Sequence, residues 1–175
     1  MSGPSIDRAN SSGDIWTPWP FVYAAENKFG KFDWDLAATA ASAKAGLFIE
    51  LSTDSLTVPW HALPVNQSVA GKAQPLLFLN PPYSIITPWA RKCVEERNKG
   101  AEILLLVPGS IGANWYWDYV EGWAQVYSVG RMVFDNCYNK RGELVTTPYP
   151  KDLILVHYVP DKLGDRMQRW RWEDE

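Results

Sequence analysis

The stretch that decides the fold of this 175-residue chain reads Leu76-Leu77-Phe78-Leu79-Asn80-Pro81-Pro82-Tyr83-Ser84. Its four apolar residues predict a short buried β-strand. The two prolines end this strand, because proline has no N–H to donate to a neighbouring strand. We therefore expect the Asn80 amide and the Tyr83 ring at the carboxyl end of the strand, which is where open α/β sheets bind their ligands.

The turn after this strand combines hydrogen-bond acceptors with an aromatic ring. Asn80 carries an amide oxygen, the Pro81 peptide carbonyl is a second acceptor, and Tyr83 offers a flat face. This combination suits an extruded nucleobase that bears an exocyclic amino group. The alternative is a proline turn that only ends a core strand. The order Asn-Pro-Pro-Tyr directly after an apolar strand favours the functional interpretation.

The segment after the turn predicts a β-α-β unit. Residues Ile85 to Lys99 carry an apolar stripe at helical spacing, and Gly100 ends the helix. Glu102 to Val107 is typical of a second buried strand, which the following Pro-Gly pair stops. Two strands joined by a helix at this spacing are expected to pair in parallel.

Two acidic residues mark another candidate site. Phe32–Leu36 alternates as a strand does, with Asp33 and Asp35 on it, and an alanine-rich run from Ala37 to Ala45 follows. Small residues let a ligand approach the backbone, so this turn is a candidate cofactor site. The alternative is an alternating strand whose acids are solvated.

The other predicted elements surround these two turns. They are a helix with Thr17 as N-cap and Pro18 as first residue that stops near Gly30, a long loop over residues 47–74, a helix over Asn114–Trp123, strands over Ala124–Val129, Arg131–Phe134 and Leu153–Val159, and a charged peripheral segment over Asp161–Glu175. The loop Asp135–Pro150 carries Lys140 and Arg141 at its tip, where their charge suits either phosphate contact or an ordinary solvated turn. The stretch from His61 to Lys72 is a candidate cover for substrate or reader of bases.

Composition limits the partners and the compartment. The formal net charge is −3, so a DNA-binding surface needs a local cluster of Lys and Arg. Cys93 and Cys137 lack the spacing of a zinc site and fit reduced thiols in a cytosol. The N-terminus lacks the apolar core of a signal peptide, and no apolar run reaches bilayer length. We expect a cytoplasmic protein that binds neither metal nor membrane.

The Asn-Pro-Pro-Tyr sequence resembles the catalytic motif of the DNA amino-methyltransferases, which methylate adenine N6 or cytosine N4. Four further motifs resemble the phage-type Dam family of adenine-N6 methyltransferases. They are Asp14-Ile15-Trp16-Thr17-Pro18, Phe29–Ala38, Asp54-Ser55-Leu56 with Trp60, and Gly130–Phe134. The resemblance runs from about Asp14 to Val159 and keeps the order of that family.

The resemblance implies one α/β domain with a mostly parallel sheet, of the Rossmann-like type of the S-adenosylmethionine-dependent methyltransferases. The domain would span residues 14–160, between a flexible N-terminus (1–13) and a charged C-terminal tail (161–175). The implied activity is methyl transfer from S-adenosylmethionine to N6 of a flipped-out adenine in DNA, in a bacterial or phage-infected host cell. The implied catalytic residues are Asn80, Pro81, Pro82 and Tyr83; the cofactor-binding residues are Trp16, Thr17, Pro18, Asp33, Asp35, Ala37, Asp54 and Asn80; and the DNA-binding residues are Ser84, Arg131, Lys140 and Arg141.

Two alternatives stay open at this point. The chain lacks the glycine-rich loop that many methyltransferases of this fold carry after the first strand. Either Asp35–Ala40 occupies the place of that loop, or Asp35 is the acid that holds the cofactor ribose. The Asn-Pro-Pro-Tyr motif alone also fits methylation of cytosine N4, RNA or a protein glutamine, and a non-catalytic α/β nucleic-acid-binding module. The flanking motifs favour adenine.

Overall fold

A computed structural model describes residues 15–50, 52–66, 73–139 and 141–175 of the chain. The predictions made for residues 1–13, for 67–72 of the long loop and for Lys140 lie outside these ranges. Within them the main elements are, in chain order, α1 (Trp19–Phe29), β1 (Trp34–Ala38), β2 (Leu47–Glu50), β3 (Leu76–Leu79), α2 (Ile86–Arg97), β4 (Glu102–Pro108), α3 (Asn114–Tyr119), β5 (Gln125–Gly130), β6 (Leu153–Tyr158) and β7 (Gln168–Arg169).

The strands form one mixed sheet in the order β2-β1-β3-β4-β6-β5-β7. Strands β2, β1, β3 and β4 pair in parallel. Strand β6 is antiparallel to both β4 and β5, while β7 is parallel to β5. The described strands therefore share one direction except for β6, which confirms an α/β domain with a mostly parallel sheet.

The β-α-β unit around the proline turn is confirmed. Strands β3 and β4 are parallel neighbours, with Leu76 opposite Glu102 and Leu79 opposite Leu105, and α2 connects them. All four residues of β3 are buried, as its uninterrupted apolar sequence predicts.

The core lies on both faces of the sheet, because alternate residues of each strand point to opposite sides. Leu77 and Leu79 pack with α2 and α3 on one face. Leu76 and Phe78 pack with α1 on the other face, where the Phe78 ring stacks on Phe32 at 4.8 Å between centroids. Each fully buried side chain of this kind contributes about 1.5–3 kcal/mol. The carboxyl end of β3 is thus fixed from both sides.

The first and third helices differ from their predicted bounds. Helix α1 begins at Trp19, with Pro18 rather than Thr17 at the N-cap position and no side-chain cap. Thr17 lies one residue before the cap, and its hydroxyl oxygen accepts a hydrogen bond from Asn80. Helix α3 ends at Tyr119 instead of Trp123, because Val120 leaves the helical region at φ −121°.

The strand predicted over Arg131–Phe134 is wrong. Gly130 has a φ of 73°, which turns the chain out of the sheet at the end of β5. The backbone oxygen of Met132 then accepts a hydrogen bond of 2.9 Å from Tyr149, not from a sheet neighbour. Met132 and Phe134 instead pack on the α1 face, whereas Val133 is exposed.

Two strands arise in segments for which none was predicted. Strand β2 lies at the start of the predicted loop 47–74; it is an edge strand of four residues, so its hydrophobic pattern is short. Strand β7 follows β6, which the sequence made the last strand. Residues 161–175, expected to form a charged tail, thus add an edge strand and bury Trp170.

Candidate active site

Strands β1 and β3 lie side by side where the chain reverses its direction of travel across the sheet. From β1 the chain passes to β2 on one side, and it then returns to β3 on the other side of β1. The carboxyl ends of β1 and β3 therefore flank a crevice of the kind in which open α/β sheets bind ligands. Asn80 follows β3 directly, so it lies at this crevice.

The Asn80 side chain is held by the segment that precedes α1. Its Nδ2 donates to the hydroxyl oxygen of Thr17 at 2.8 Å, and the two residues are 8% and 2% exposed. Trp16 fixes this segment, because its backbone N–H and carbonyl exchange two hydrogen bonds of 2.9 Å with Asp135. The amide is planar, so the bond to Thr17 also sets the direction of the acceptor oxygen, Oδ1.

A narrow pocket lies between the ends of β1 and β3. Five residues predicted to bind cofactor line it: Trp16, Thr17, Asp35, Ala37 and Asn80. Ile15, Ser42 and Lys44 complete the lining. The structure thus brings together side chains from segments that are far apart in the sequence.

Asp35 shapes one wall of this pocket. Its carboxylate is buried and accepts hydrogen bonds from the backbone N–H of Ala37 at 3.3 Å and of Lys44 at 3.0 Å. These bonds fold the connection between β1 and β2 back towards the end of β1. The connection between these strands therefore depends on the Asp35 carboxylate.

Lys44 is a pocket residue that the sequence analysis missed. Its side chain is buried, and Nζ lies 4.5 Å from the centre of the Trp19 ring and 5.6 Å from that of Trp16. An ammonium over an aromatic face is electrostatically favourable, more so when it is desolvated. A single lysine in an alanine-rich run belongs to no recognisable motif, so its place in the pocket could not be predicted from the sequence.

The indole of Trp16 adds a hydrogen-bond donor to the pocket. Its Nε1–H is buried and has no hydrogen-bond partner within the described ranges. A buried donor without an acceptor costs about 1–3 kcal/mol. A ligand that brings an acceptor to this position would therefore bind more tightly.

Asp33 is not at this pocket. It precedes β1 and lies at the amino edge of the sheet, fully buried. Its carboxylate accepts hydrogen bonds from the backbone N–H of Asn66 at 2.9 Å and of Leu76 at 2.8 Å. Asp33 thus ties the incoming loop and the start of β3 to the start of β1.

Two other predicted cofactor residues have structural contacts away from the pocket lining. Asp54 is exposed and caps the single helical turn Ser55–Thr57 by accepting from the N–H of Leu56 at 3.1 Å. Pro18 is buried at the start of α1, where its carbonyl accepts from Val22 at 3.2 Å.

The Tyr83 ring is held by two aromatic neighbours. It meets Tyr149 at 5.6 Å and Phe134 at 6.3 Å between centroids, both edge to face. Pro81 is buried and Pro82 is exposed, so the turn is anchored on one side only. Tyr149, which the sequence analysis did not single out, completes this aromatic group from the loop after β5.

Comparison with known sequences shows the family to which the chain belongs. A sequence model of the family described as DNA N-6-adenine-methyltransferase (Dam) matches residues 7–158. The chain belongs to the Dam family. It is also similar to a DNA N-6-adenine-methyltransferase of Escherichia phage T1, with 26% identity over 114 residues, or 65% of this chain and 43% of that protein. The chain thus matches less than half the length of the phage protein.

The predicted DNA contacts of this Dam-family chain lie on exposed segments. Ser84 is exposed in the turn after Asn80, and Arg131 follows β5 and pairs with Asp152 at 3.1 Å. Arg141 is exposed beside the Tyr138–Leu144 bridge of a small hairpin. Lys140, its predicted partner, lies outside the described residues.

The described part of the predicted covering loop, residues 61–66, is fastened to α2 and to the amino edge of the sheet. Glu96 of α2 accepts from the backbone N–H of His61 at 2.8 Å and lies 2.6 Å from its Nδ1. Lys92 also donates to Glu96, at 2.8 Å. Burial by itself would raise the pKa of Glu96, but the hydrogen bonds from Lys92 and His61 outweigh it and lower the pKa to about 2.

Within the described ranges, no group of three or more His, Cys, Asp or Glu side chains is arranged to hold a metal ion. No helix in those ranges is long and apolar enough to cross a bilayer.

Proposed function

We propose that this Dam-family chain methylates N6 of adenine in DNA, with S-adenosylmethionine as methyl donor and with the target base extruded from the helix. The fold would then be the Rossmann-like methyltransferase type. The observation that carries the proposal is the Asn80 amide, buried at the strand-end crevice and oriented by Thr17. The family match and the likeness to the phage T1 enzyme support it.

Asn80 would act on the amino group of the base. That amine is a weak nucleophile, because its lone pair is conjugated with the ring. An acceptor at Asn80 Oδ1 and a second one at the Pro81 carbonyl would stabilise the positive charge that develops on the nitrogen. The hydrogen bond from Nδ2 to Thr17 fixes the plane of the amide, and in the proposed complex its oxygen would face the base.

The donor and acceptor groups of the pocket lining match groups of S-adenosylmethionine. The buried Trp16 N–H calls for an acceptor, the Asp35 carboxylate suits hydroxyl or amino groups, and the Lys44 ammonium suits a carboxylate. When bound, this cofactor supplies a methyl group activated by its sulfonium. The residues of the chain would bind it, align it with Asn80 and exclude water.

Tyr83 would stack on the extruded adenine. Contacts of this kind contribute about 1–3 kcal/mol per base. Phe134 and Tyr149 meet the Tyr83 ring edge to face, which limits its rotation and keeps its orientation defined before DNA arrives.

The test is methyl transfer from radiolabelled S-adenosylmethionine to unmethylated mixed-sequence DNA, followed by mass spectrometry of the nucleosides. N6-methyladenine is the expected product. N4-methylcytosine, methylated RNA or methylated protein would each replace the proposal with one of the alternative targets. No transfer to any of them would leave a nucleic-acid-binding module.

The cofactor site has a separate test by calorimetry of S-adenosylmethionine binding. Asp35→Asn keeps the size of the side chain but removes its charge, and we expect affinity to fall at least tenfold. Asp54→Asn is the matched control, because Asp54 is exposed and caps a turn outside the pocket. Equal affinities for both variants and the wild type would remove Asp35 from the site.

A further inference from the structure

A groove lined by arginines lies at the same edge of the sheet as Asn80, but four strands away. It is formed where β5 ends at Gly130 and β7 ends at Arg169. Strands β5 and β7 run in the direction of β3 and β4, since β6 alone is reversed. The ends of β5 and β7 therefore face the same side as the candidate active site. The family match ends at residue 158, so β7 lies beyond it.

Two exposed arginines, Arg169 and Arg171, line this groove, which we call the arginine groove, and a third, Arg131, lies beside it. Arg131 is paired with Asp152 at 3.1 Å. The described residues provide no ion pair for Arg169 or Arg171, and Glu173 is the other acid in the lining. A guanidinium presents a planar fork of donors that matches the oxygens of a phosphate.

The arginines are mounted on a fixed backbone. Between them, the Trp170 ring is buried against Phe21 at 5.8 Å, and its backbone N–H donates to Ser128 at 3.0 Å. The next aromatic residue, Trp172, donates its indole N–H to the Val129 carbonyl at 3.1 Å. Arg169 and Arg171 therefore project outward from an ordered edge, so less entropy is lost when they bind a partner.

We propose that the arginine groove binds the phosphate backbone of the DNA duplex whose target adenine lies at Asn80. This inference rests on the proposed function. The four strand spacings from β3 to β7 correspond to about 19 Å. A helical turn of DNA is about 34–36 Å long, so the contact falls about half a turn, or five to six base pairs, from the target base. The chain as a whole is acidic, which makes a local cation cluster necessary for DNA affinity.

The test is the salt dependence of binding to a fluorescently labelled duplex of about 20 base pairs, compared for wild type and Arg169→Ala/Arg171→Ala. Loss of two phosphate contacts should lower the slope of log K against log salt by about 1.8. Between 50 and 200 mM salt, the variant should accordingly lose about tenfold less affinity than the wild type. Arg169→Lys/Arg171→Lys should restore most of the slope, because lysine also binds phosphate.

The matched control removes two positive charges from the same segment at the opposite edge of the sheet. Lys162 and Arg166 are exposed and precede β7, so Lys162→Ala/Arg166→Ala should leave the slope unchanged. If the slope falls equally in both double variants, only the net charge of the protein matters. If the slope is unchanged in Arg169→Ala/Arg171→Ala, the arginine groove is not part of the DNA interface. If the wild type neither binds nor methylates DNA, the proposed function fails instead.

Two further measurements sharpen the assignment. Glu173→Gln removes the unpaired acid of the groove, so duplex affinity should rise severalfold at low salt. The second measurement uses a duplex with only about three base pairs on either side of the target base. Wild type and Arg169→Ala/Arg171→Ala should bind this duplex with equal affinity, because it lacks the phosphates that the arginine groove would contact. A persisting difference on the short duplex would place these arginines elsewhere in the complex.

Discussion

Two aspartates at the start of strand β1, Asp33 and Asp35, have different roles although they are only two residues apart. At the amino edge, Asp33 is fully buried and both carboxylate oxygens accept backbone N–H groups from other segments. At the carboxyl side, Asp35 holds the β1–β2 connection and also lines a pocket, next to a buried indole donor without a partner in the described ranges. At the amino edge the carboxylate stabilises the fold. At the carboxyl edge, polar groups line a pocket where they can bind a ligand.

The largest expected effect separates activity from stability at the carboxyl edge. Asn80→Ala removes the acceptor for the developing charge but leaves the turn prolines in place, so methyl transfer should fall by about two to three orders of magnitude. Steady-state transfer at saturating cofactor measures this. Asn80→Asp keeps an acceptor and should retain partial activity. A wild-type rate for Asn80→Ala would end the proposed role of Asn80.

At the amino edge the expected effect is on stability alone. Asp33→Ala leaves the backbone N–H groups of Asn66 and Leu76 without their acceptor, and hydrogen bonds to a charged group contribute about 1.5–3 kcal/mol each. The free energy of unfolding in urea should therefore fall by about 3–6 kcal/mol. Cofactor affinity of the folded fraction should stay at the wild-type value; a selective loss of affinity would assign Asp33 to the site after all.

The Glu96 cluster near the amino edge gives a prediction in pH. The pKa of Glu96 is lowered to about 2 in the folded chain, below its ordinary value, so its contribution to stability is complete above about pH 4.5 and is lost as the pH falls towards 2. The loss amounts to at most about 3 kcal/mol. Glu96→Gln should remove this part of the acid dependence in thermal unfolding. An unchanged acid profile would contradict the low pKa.

The smallest expected effect tests the buried indole donor. Trp16→Phe removes the indole N–H and shortens the aromatic side chain, so affinity for S-adenosylmethionine should fall about three- to tenfold, chiefly through the loss of one hydrogen bond. Trp89→Phe is the matched control, because its Nε1 is also buried without a partner in the described ranges but lies in the core beside Trp60. Equal affinities in the two variants would mean that the Trp16 donor does not meet the cofactor.

The sequence was sufficient where structure depends on local pattern. The apolar run Leu76–Leu79 and its two prolines predicted the strand, its end and the position of Asn80. The meeting of Asn80 with Thr17 depends on residues 63 positions apart, and the hydrogen bond between them is not encoded in the periodicity of either segment. The resemblance to the Dam family predicted that Asn80 and Thr17 lie near the same cofactor. It assigned both Asp33 and Asp35 to the cofactor site, although only Asp35 lines the pocket.

The positions that the sequence analysis missed have a common cause. Lys44 lies in an alanine-rich run and Tyr149 in an irregular loop, so neither belongs to a periodic element. Strand β7 has two residues, both exposed, and a charged sequence, and its pairing with β5 becomes visible only in three dimensions. The charged, irregular sequence of residues 161–175 suggested a peripheral tail. The segment packs on the domain because the Trp170 ring, between exposed residues, is buried.

The packing of Trp170 and Trp172 on α1 has a consequence for the order of folding. Their ring contacts with Phe21 join parts of the chain about 150 residues apart. Contacts of such long sequence separation form slowly, because the entropy of closing the loop is lost before the contact is gained. During synthesis, the part of α1 around Phe21 that these two tryptophans cover remains exposed until they emerge. A nascent chain halted before Trp170 should therefore aggregate or bind chaperones more than the finished chain.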